Sequence, residues 1–468
     1  MGNRGRSRRK MRSVMIRVDR IVKLILAHSM AMLFVAAPIC AQEKTDPLSP
    51  TLRLGKRLFV EKQFTNPQSN FAASCRSCHL PDWAPEGKRA YADSERYSLI
   101  PTNSSGRKRT TLRNVPTLLD VADQERFGHD GRYPTLQEMI EGELTSLHMG
   151  WLPEEREWAL NHIYATLQYD AGIDEIAEGT YAEQFKSAYN FDIEPMSREE
   201  TVEIVVRCLS EYVTTLKSTH TSSYDAFVYM NRLQREPGEG ETPGYFANAL
   251  LNRVANLEAR TSPKIHPGFD VDAYNGFKIF MRTSGEPGTG NCVTCHTPPL
   301  FTDGAFHNTG IAQAEYDRAH GVGAFAQLTI PDSNKSNRPD PAFGPKIENG
   351  EQINADLGNW NHANVAGTNT VGAFKTPTLR NLEYTDPYMH NGRYASLEEA
   401  IAQKVWACAL AKSDALRVGD AALSIMNITD EDIEPLVAFL ATLNDLSVEE
   451  FEEHRRSGYS VAETDSDQ

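Results

Sequence analysis

The sequence AASCRSCHLPDW, residues 72–83, places two cysteines three positions apart with a histidine directly after the second. A near copy, GNCVTCHTPP, occupies residues 290–299, about two hundred residues further on. In the attachment motif of c-type haem, two thiols add to the vinyl groups and the adjacent histidine ligates the iron. That chemistry uses every residue of both motifs. The sequence therefore predicts two covalently bound haem c groups.

The attachment residues are Cys75, Cys78, Cys292 and Cys295, and the proximal iron ligands are His79 and His296. A shared zinc site is the first alternative, but paired Cys-x-x-Cys units of zinc ribbons lie roughly 15 to 20 residues apart. Zinc binding by the four cysteines also leaves both histidines unexplained. A redox dithiol is the second alternative, and it would follow a strand and open a helix. Neither signal is present in the sequence.

A second repeat surrounds the motifs. Residues 115–140 and 376–401 overlay without a gap at a constant offset of 261, so that His129 coincides with His390 and Arg132 with Arg393. A helical segment precedes each haem motif, and a long loop separates the motif from the repeat. The sequence predicts a mostly α-helical fold with two tandem cytochrome c-like haem domains joined by long loops.

The predicted domain boundaries follow from composition. About 427 residues remain after an N-terminal leader of 41, too many for one core. We expect a signal peptide at 1–41, an N-terminal haem domain at 42–240, a Pro/Gly/Glu-rich linker at 241–267, a C-terminal haem domain at 268–446 and an acidic, disordered tail at 447–468.

The N-terminus predicts export. Residues 4–23 carry nine Lys/Arg, and the apolar run that follows is too short to span a bilayer comfortably. We expect cleavage after Ala41 and a periplasmic location; an N-terminal membrane anchor and a lipoprotein attached through Cys40 are the alternatives.

The charge balance indicates the kind of partner. The formal net charge is −15, and without residues 1–41 it becomes −23 from 39 basic and 62 acidic residues. This balance argues against nucleic acid and favours a basic protein partner. No other apolar run approaches the length of a membrane span, so we expect no stable membrane insertion.

In the second repeat, a helix that opens at Ser396 carries Lys404 on its apolar face. A lysine there is costly unless something holds it. We expect the neutral Lys404 amine to ligate the second haem iron, with Cys408, Met389 or an iron without a sixth ligand as alternatives. The other interpretation is that the aliphatic stem is buried and the ammonium reaches water.

In the first repeat, Glu143 occupies the position that matches Lys404, and His148 follows nearby. Residues 80–114 contain no His or Met after His79, so we expect the first iron to be five-coordinate. Cleavage of a peroxide O–O bond needs a group that takes a proton from one oxygen and returns it to the other. Glu143 or His148 is the candidate; the alternative is that His148 is an ordinary surface or capping residue.

The motifs RNVPTLL (113–119), FGHDGR (127–132), NCVTCHTPPLFTDGAFHNTG (291–310), FKTPTLRNLEYTDPYMHNGR (374–393) and ITDEDIEPLVAFLATLND (428–445) resemble the bacterial di-haem cytochrome c peroxidase family, which includes MauG-type maturation oxidases. The resemblance runs from about Leu54 to Leu446. It implies that the N-terminal haem reacts with peroxide and that the C-terminal haem relays electrons.

The resemblance also implies a calcium ion held by Asn114 and the backbone carbonyls of Thr385 and Pro387, oxygen donors that suit this metal. The chain lacks the displaceable His that classical peroxidases of the family hold after the first haem motif, as MauG-type members do. His129 stands where relatives usually have the Trp associated with coupling between the haems.

We expect an enzyme that reduces hydrogen peroxide to water with electrons from a small, basic cytochrome or cupredoxin. A MauG-type oxidase that uses peroxide equivalents on a protein or organic substrate is an alternative. A non-catalytic electron-transfer protein with two six-coordinate irons is another, and a homodimer is compatible with the sequence.

Overall fold

The computed structural model of the chain describes residues 49–80, 92–93, 95–102, 109–172, 179–331, 340–362 and 370–460. The predicted signal peptide, with Cys40 and Ala41, lies outside these described residues. From Pro50 onward, the described chain forms one compact unit.

Helices provide most of the regular structure, as predicted. They are α1 (Pro50–Val60), α2 (Leu136–Leu144), α3 (Arg156–Gln168), α4 (Tyr181–Tyr189), α5 (Arg198–Thr214), α6 (Ser223–Met230), α7 (Pro243–Arg260), α8 (Val271–Met281), α9 (Ile311–His320), α10 (Ala324–Gln327), α11 (Leu397–Lys412), α12 (Ala422–Ile425), α13 (Ile433–Ala441) and α14 (Val448–Arg456).

The strands of the described residues are two residues long and pair antiparallel. They are β1 (Leu99–Ile100) with β2 (Arg109–Thr110), β3 (Lys264–Ile265) with β8 (Tyr459–Ser460), β4 (Phe306–His307) with β7 (Phe374–Lys375), and β5 (Ile347–Glu348) with β6 (Glu351–Gln352).

The two helices that carry Glu143 and Lys404 begin where the sequence predicted. The Thr135 side chain caps α2 and the Ser396 side chain caps α11, each by accepting a hydrogen bond from the backbone N–H three residues further on. Such a cap satisfies one of the donors that a helix start leaves without a partner. These starts are locally encoded, which explains why the pattern predicted them correctly.

The two largest apolar cores among the described residues are built from residues 54–216 and from residues 224–443. Helices α1 and α5 cross in the first core, and α8 and α13 cross in the second. A Cβ on Gly55 would meet the Tyr212 Cβ at 2.6 Å, and one on Gly276 would meet the Pro435 carbonyl oxygen at 1.8 Å. Each half therefore depends on a glycine that lets two helices approach closely, while the domain boundary itself stays a prediction.

The predicted linker and tail differ from the structure. Helix α7 occupies most of residues 241–267, and Phe246 and Leu250 on it belong to the second core. The segment is part of that core rather than a spacer. Helix α14 packs on α6, and β8 pairs with β3, so residues 447–460 are ordered instead of forming a disordered tail. The remainder, 461–468, lies outside the described residues.

None of the helices described between residues 49 and 460 combines the length and apolar character that crossing a bilayer requires.

The two repeats meet through reciprocal backbone hydrogen bonds. The Asn114 N–H donates to the His390 carbonyl at 2.8 Å, and the Lys375 N–H donates to the His129 carbonyl at 2.8 Å. Asn114 and Lys375 are 261 residues apart, as are His129 and His390. Each bond is thus the copy of the other, and an approximate two-fold relation joins the repeats at this point.

Candidate active site

Both Cys-x-x-Cys-His motifs form the same turn. A short 3₁₀ helix covers Cys75–Ser77 in the first and Cys292–Thr294 in the second. In each, the histidine N–H donates to the carbonyl of the first cysteine, at 2.9 Å and 2.8 Å respectively. The two copies therefore present their thiols and imidazole on equivalent backbones.

A single cavity of about 1030 Å³ opens onto both motifs. Its volume lies at the upper end of the roughly 300 to 1,000 Å³ of ordinary ligand pockets, so it has room for large groups. Every predicted site residue lines this cavity: Cys75, Cys78, His79, Asn114, Glu143, His148, Cys292, Cys295, His296, Thr385, Pro387 and Lys404.

The cysteines do not fit the two rejected alternatives. All four motif cysteines are free of disulfide bonds, and among the described residues they form no joint metal cluster. Burial raises the pKa of Cys75 to about 12 and that of Cys78 to about 11, and burial also raises the pKa of Cys292 to about 12. A redox dithiol needs a lowered thiol pKa. Half-buried thiols that line a large cavity fit covalent attachment instead.

His296 is oriented as a haem ligand would be. Its Nδ1 hydrogen-bonds to the Phe301 carbonyl at 2.9 Å, which leaves Nε2 for the iron. Burial lowers the pKa of His296 to about 4, so the imidazole is neutral and can donate its lone pair. His79 lines the same cavity from the first motif. The residues present fit two haem c groups.

Glu143 and His148, weighed as alternatives from the sequence, form one hydrogen-bonded pair. His148 Nδ1 contacts Glu143 Oε2, and the Ser146 hydroxyl accepts from the His148 backbone N–H in the turn between them. Both side chains face the cavity on the side of the first motif. The short turn after α2 folds the imidazole back onto the helix, which explains why residues five apart meet.

Each member of the pair favours the charged form of the other. Burial opposes ionisation of Glu143, but the adjacent His148 and the more distant Arg132 outweigh it and lower the pKa of Glu143 to about 2. The Glu143 carboxylate in turn raises the pKa of His148 against the effect of burial. The cavity wall therefore holds one proton on the imidazole beside an ionised carboxylate.

Lys404 faces the cavity on the side of the second motif. Burial lowers its pKa to about 8, although the nearby Cys295 and Cys292 sulfurs work in the opposite direction. No hydrogen bond or ion pair joins its ammonium to another residue in the described part of the chain. Haem attachment would remove both thiols as ionisable groups. The pKa of Lys404 would then fall further, and a larger fraction of the amine would be neutral.

The structure distinguishes between Met389 and Cys408, the alternative ligands of the second iron. Met389 lines the cavity, so it stays a candidate for the second iron. Cys408 is buried outside the cavity lining, and its Sγ donates to the Met426 carbonyl at 3.1 Å. This geometry removes Cys408 from the possible ligands.

Sequence reasoning missed Met139, which also lines the cavity one turn before Glu143 on α2. It aligns with Ala400, which lines the cavity from α11. The repeat offset was the signal that could have found it, because equivalent positions on the two helices face the cavity. Met139 is therefore a rival sixth ligand for the first iron.

Two histidines and a phenylalanine lie on the cavity wall where the repeats meet. The ring of His129 is 6.4 Å from that of His390, and His390 stacks on Phe374 with centroids 3.4 Å apart. Burial lowers the pKa of His129 to about 4, and its Nε2 hydrogen-bonds to the Asn114 carbonyl at 3.0 Å. A neutral aromatic cluster occupies the region in which relatives are expected to carry Trp.

A buried charge cluster fixes this junction. The Arg113 guanidinium makes two hydrogen bonds of 2.8 Å to Asp356 and one of 2.5 Å to Asp130, and all three side chains are buried. The sequence did not predict this cluster, because Asp356 is 243 residues from Arg113 along the chain. Its arrangement holds the first repeat against the second half of the chain.

His307 lies beside Cys295 on the wall of the second haem site. Its Nε2 contacts Asp303 at 2.8 Å and its Nδ1 contacts Asp420 at 2.6 Å. These hydrogen bonds raise the pKa of His307 to about 12, and the one to Asp303 has the largest effect. The ring is therefore an imidazolium. Although Cys295, Asp303 and His307 lie within 4.8 Å of one another, a doubly protonated ring has no lone pair for a metal.

Two of the three residues of the predicted calcium site are in contact. The Asn114 side-chain nitrogen donates to the Pro387 carbonyl at 2.5 Å, and Thr385 lines the same cavity. The Asn114 side-chain oxygen accepts from the Val115 N–H at 3.0 Å, so the amide would have to give up this bond to turn its oxygen toward a cation. The calcium site stays a prediction.

The geometry of the two motifs and their shared cavity defines a class of protein. Two equivalent attachment turns on one cavity, with a neutral proximal histidine shown for the second, are the features of a c-type cytochrome with two haem sites.

Comparison with known proteins is consistent with this class. Residues 49–232 match the model of the di-haem cytochrome c peroxidase family. A cytochrome c peroxidase, IdrP2 from Pseudomonas sp. (strain SCT), is 24% identical over 399 residues, which cover 84% of this chain and 81% of the relative. The methylamine utilization protein MauG of Methylorubrum extorquens is 24% identical over 361 residues, 76% of this chain and 69% of that protein.

Among solved structures, a variant of the di-haem peroxidase BthA from Burkholderia thailandensis matches with a TM-score of 0.50 and 20% identity, covering 85% of this chain and 86% of that one. This likeness establishes the mostly α, cytochrome c-like fold. Residues 49–232 are thus similar to the di-haem cytochrome c peroxidase family, and the relatives that match over most of the chain include both a cytochrome c peroxidase and MauG.

Proposed function

We propose that the chain is a periplasmic di-haem c oxidoreductase that reduces hydrogen peroxide to water with electrons from a small redox protein. The observation that carries the proposal is the hydrogen-bonded Glu143–His148 pair on the cavity wall beside the first attachment motif. A positioned acid and base typically contribute roughly 10² to 10⁴-fold to proton-transfer chemistry.

Reduction of one hydrogen peroxide to two waters consumes two electrons and two protons. The first haem, when bound through Cys75 and Cys78, supplies the iron at which this reduction takes place. Glu143 is ionised and accepts the proton of the bound peroxide, while His148 is protonated and donates to the departing oxygen. Cys292, Cys295 and His296 would hold the second haem, which would supply a relay for electrons from the donor protein.

The charge of the chain supports a basic electron donor. A formal net charge of −15 attracts a positively charged partner and raises the rate of encounter at low salt. A small basic cytochrome or cupredoxin fits this requirement. The expected signature is a turnover rate that falls as the salt concentration rises.

A second candidate uses the same site. A MauG-type oxidase would take the oxidising equivalents of peroxide from a protein or organic substrate instead of a redox protein. The absence of a His from residues 80–114 favours this candidate, because the chain shares that feature with MauG-type members rather than with classical peroxidases. The third candidate, electron transfer without catalysis, requires six-coordinate iron in both haems.

Optical and EPR spectra of the oxidised protein, recorded before and after peroxide addition, test the proposal. We expect one high-spin haem that reacts without prior reduction, and peroxide consumption that depends on a reduced basic cytochrome. Peroxide consumption that requires an organic or protein substrate instead would favour the oxidase. Two low-spin haems that ignore peroxide would leave only electron transfer.

A further inference from the structure

A second pocket shares none of its lining residues with the haem cavity. It has a volume of about 420 Å³ and is enclosed by the end of α6, the start of β3, the end of α14 and the segment just before β8. Arg232, Lys264, Arg455 and Arg456 line it together with Tyr229. No carboxylate is part of this lining.

Four cations on one pocket stand out in a chain whose formal net charge is −15. Arg455 pairs with Glu452, and the Arg456 Nε donates to the Glu452 backbone carbonyl at 3.1 Å. Among the described residues, Arg232 and Lys264 have no carboxylate within ion-pair distance. The pocket therefore carries an excess of positive charge that the protein itself does not neutralise.

The arginine at the inner wall is held in place before any ligand arrives. The Arg455 guanidinium stacks on the Tyr229 ring at 3.9 Å, which is cation–π geometry. Its Nε is buried and out of reach of a ligand, so the ring of Tyr229 and the ion pair with Glu452 fix the position of the guanidinium.

The backbone around the pocket is shaped for this arrangement. Arg232 has a φ of 51°, a conformation that side chains other than Gly, Asn and Asp seldom adopt. A Cβ on Gly458 would meet the Met230 Sδ at 2.6 Å, so a larger residue there would have to displace the Met230 side chain that lines the pocket. The pocket exists because α14 and β8 dock on α6 and β3.

We propose that this pocket binds a small multivalent oxyanion, either a polycarboxylate or a polyphosphate. Arginine forks match the oxygens of both groups, and the lysine ammonium adds a point charge. The anion bridges Arg455 and Arg456 on α14 to Arg232 and Lys264 on the second core. Binding therefore stabilises the docked position of α14 and leaves the haem sites untouched.

Isothermal titration calorimetry on the haem-loaded protein tests the site, with citrate and pyrophosphate as probes and sodium chloride at matched ionic strength as the reference. We expect saturable binding of at least one probe at one site per chain, and the two probes tell a carboxylate ligand from a phosphate ligand. The haem optical spectrum should not change, which excludes binding at the haem cavity.

The exposed residues Arg232 and Lys264 allow substitutions that preserve the fold. Arg232→Gln and Lys264→Gln should each weaken binding about tenfold, since each removes one charged hydrogen-bond donor. Arg253→Gln, which removes an exposed charge on α7 outside the pocket, should bind as the unchanged protein does. The proposal is overturned if neither probe binds, if the pocket variants bind unchanged, or if Arg253→Gln weakens binding as much as they do.

Discussion

The helices α2 and α11 are copies of one another that present different chemistry at one equivalent position. On α2, Glu143 faces the cavity and is hydrogen-bonded to His148. On α11, Lys404 faces the same cavity, and no hydrogen bond or ion pair among the described residues holds its ammonium. The cap, the direction of the helix and the exposure to the cavity are shared. The difference between the two haem sites therefore depends on the side chain at a single position.

The comparison shows how one backbone serves two tasks. A carboxylate cannot approach a haem iron and still act as a proton acceptor, whereas an amine with a lowered pKa is a good iron ligand. The imidazole of His148 hydrogen-bonds to the Glu143 carboxylate and lowers its pKa, which keeps the carboxylate charged. Lys404 has no such partner, so its lone pair is free for a metal once the proton leaves.

The largest expected effect concerns the acid–base pair. Glu143→Gln and His148→Ala should each slow the reaction with peroxide by roughly 10² to 10⁴-fold, because each removes one proton carrier. Stopped-flow absorbance after peroxide addition measures this rate, and haem content is measured alongside. Glu138→Gln, on the exposed side of α2, is the matched control. An unchanged rate in both variants would assign the proton transfer to other groups.

The next effect concerns Lys404 itself. Lys404→Ala should convert the second haem from low spin to high spin and open a second reactive iron, whereas Lys404→Met should restore a low-spin haem of higher potential. EPR spectra and redox titration measure both changes. Lys412→Ala at the exposed end of α11 removes an equal charge and should change neither. If Lys404→Ala leaves the spectrum unaltered, Met389 becomes the ligand to test.

The pH dependence of the second haem provides a further test of the difference between Glu143 and Lys404. Burial lowers the pKa of Lys404 to about 8 even before the charge of ferric iron is added. Because a lowered lysine pKa extends the neutral form toward acid, ligation should persist at neutral pH and be lost as the pH falls further. Optical spectra across a pH titration measure the loss. A low-spin fraction that stays constant in acid, or one that titrates equally in Lys404→Met, would contradict ligation by Lys404.

The smallest expected effect concerns the predicted calcium ion. Chelation should depress turnover by a few-fold while both haems stay attached, because the ion would only brace Asn114 against Pro387. Metal analysis of the purified protein before and after chelation gives the stoichiometry. Asn114→Ala should lose both the metal and the sensitivity to chelator. Full turnover in metal-free protein would show that activity does not depend on calcium.

Features encoded within a few residues were predicted from the sequence. The haem attachment turns, the caps at Thr135 and Ser396 and the matching of Glu143 with Lys404 depend on spacing along the chain or on the constant repeat offset. The contact between Glu143 and His148 was not predicted, although both residues were singled out. It depends on a turn whose direction the pattern does not specify.

Features that depend on distant contacts escaped prediction for a physical reason. Asp356 hydrogen-bonds to Arg113 although the two are 243 residues apart along the chain. Asp420 hydrogen-bonds to His307 across 113 residues. The tail was judged from its acidic composition, yet α14 is ordered because it packs on α6 and because β8 adds to β3. Composition describes a segment alone, whereas order depends on the surface that receives it.

The reciprocal hydrogen bonds between Asn114 and His390 and between Lys375 and His129 carry a consequence for how the two repeats can differ. In an isologous interface of a symmetric dimer, residue i of one subunit contacts residue j of the other, and j contacts i in return. The two repeats contact one another in that way within one chain. The junction therefore has the contact pattern of a symmetric dimer, although both partners belong to one chain. Two subunits with the same sequence would carry the same residue at equivalent positions, whereas two repeats of one chain can carry an acid at position 143 and an amine at position 404.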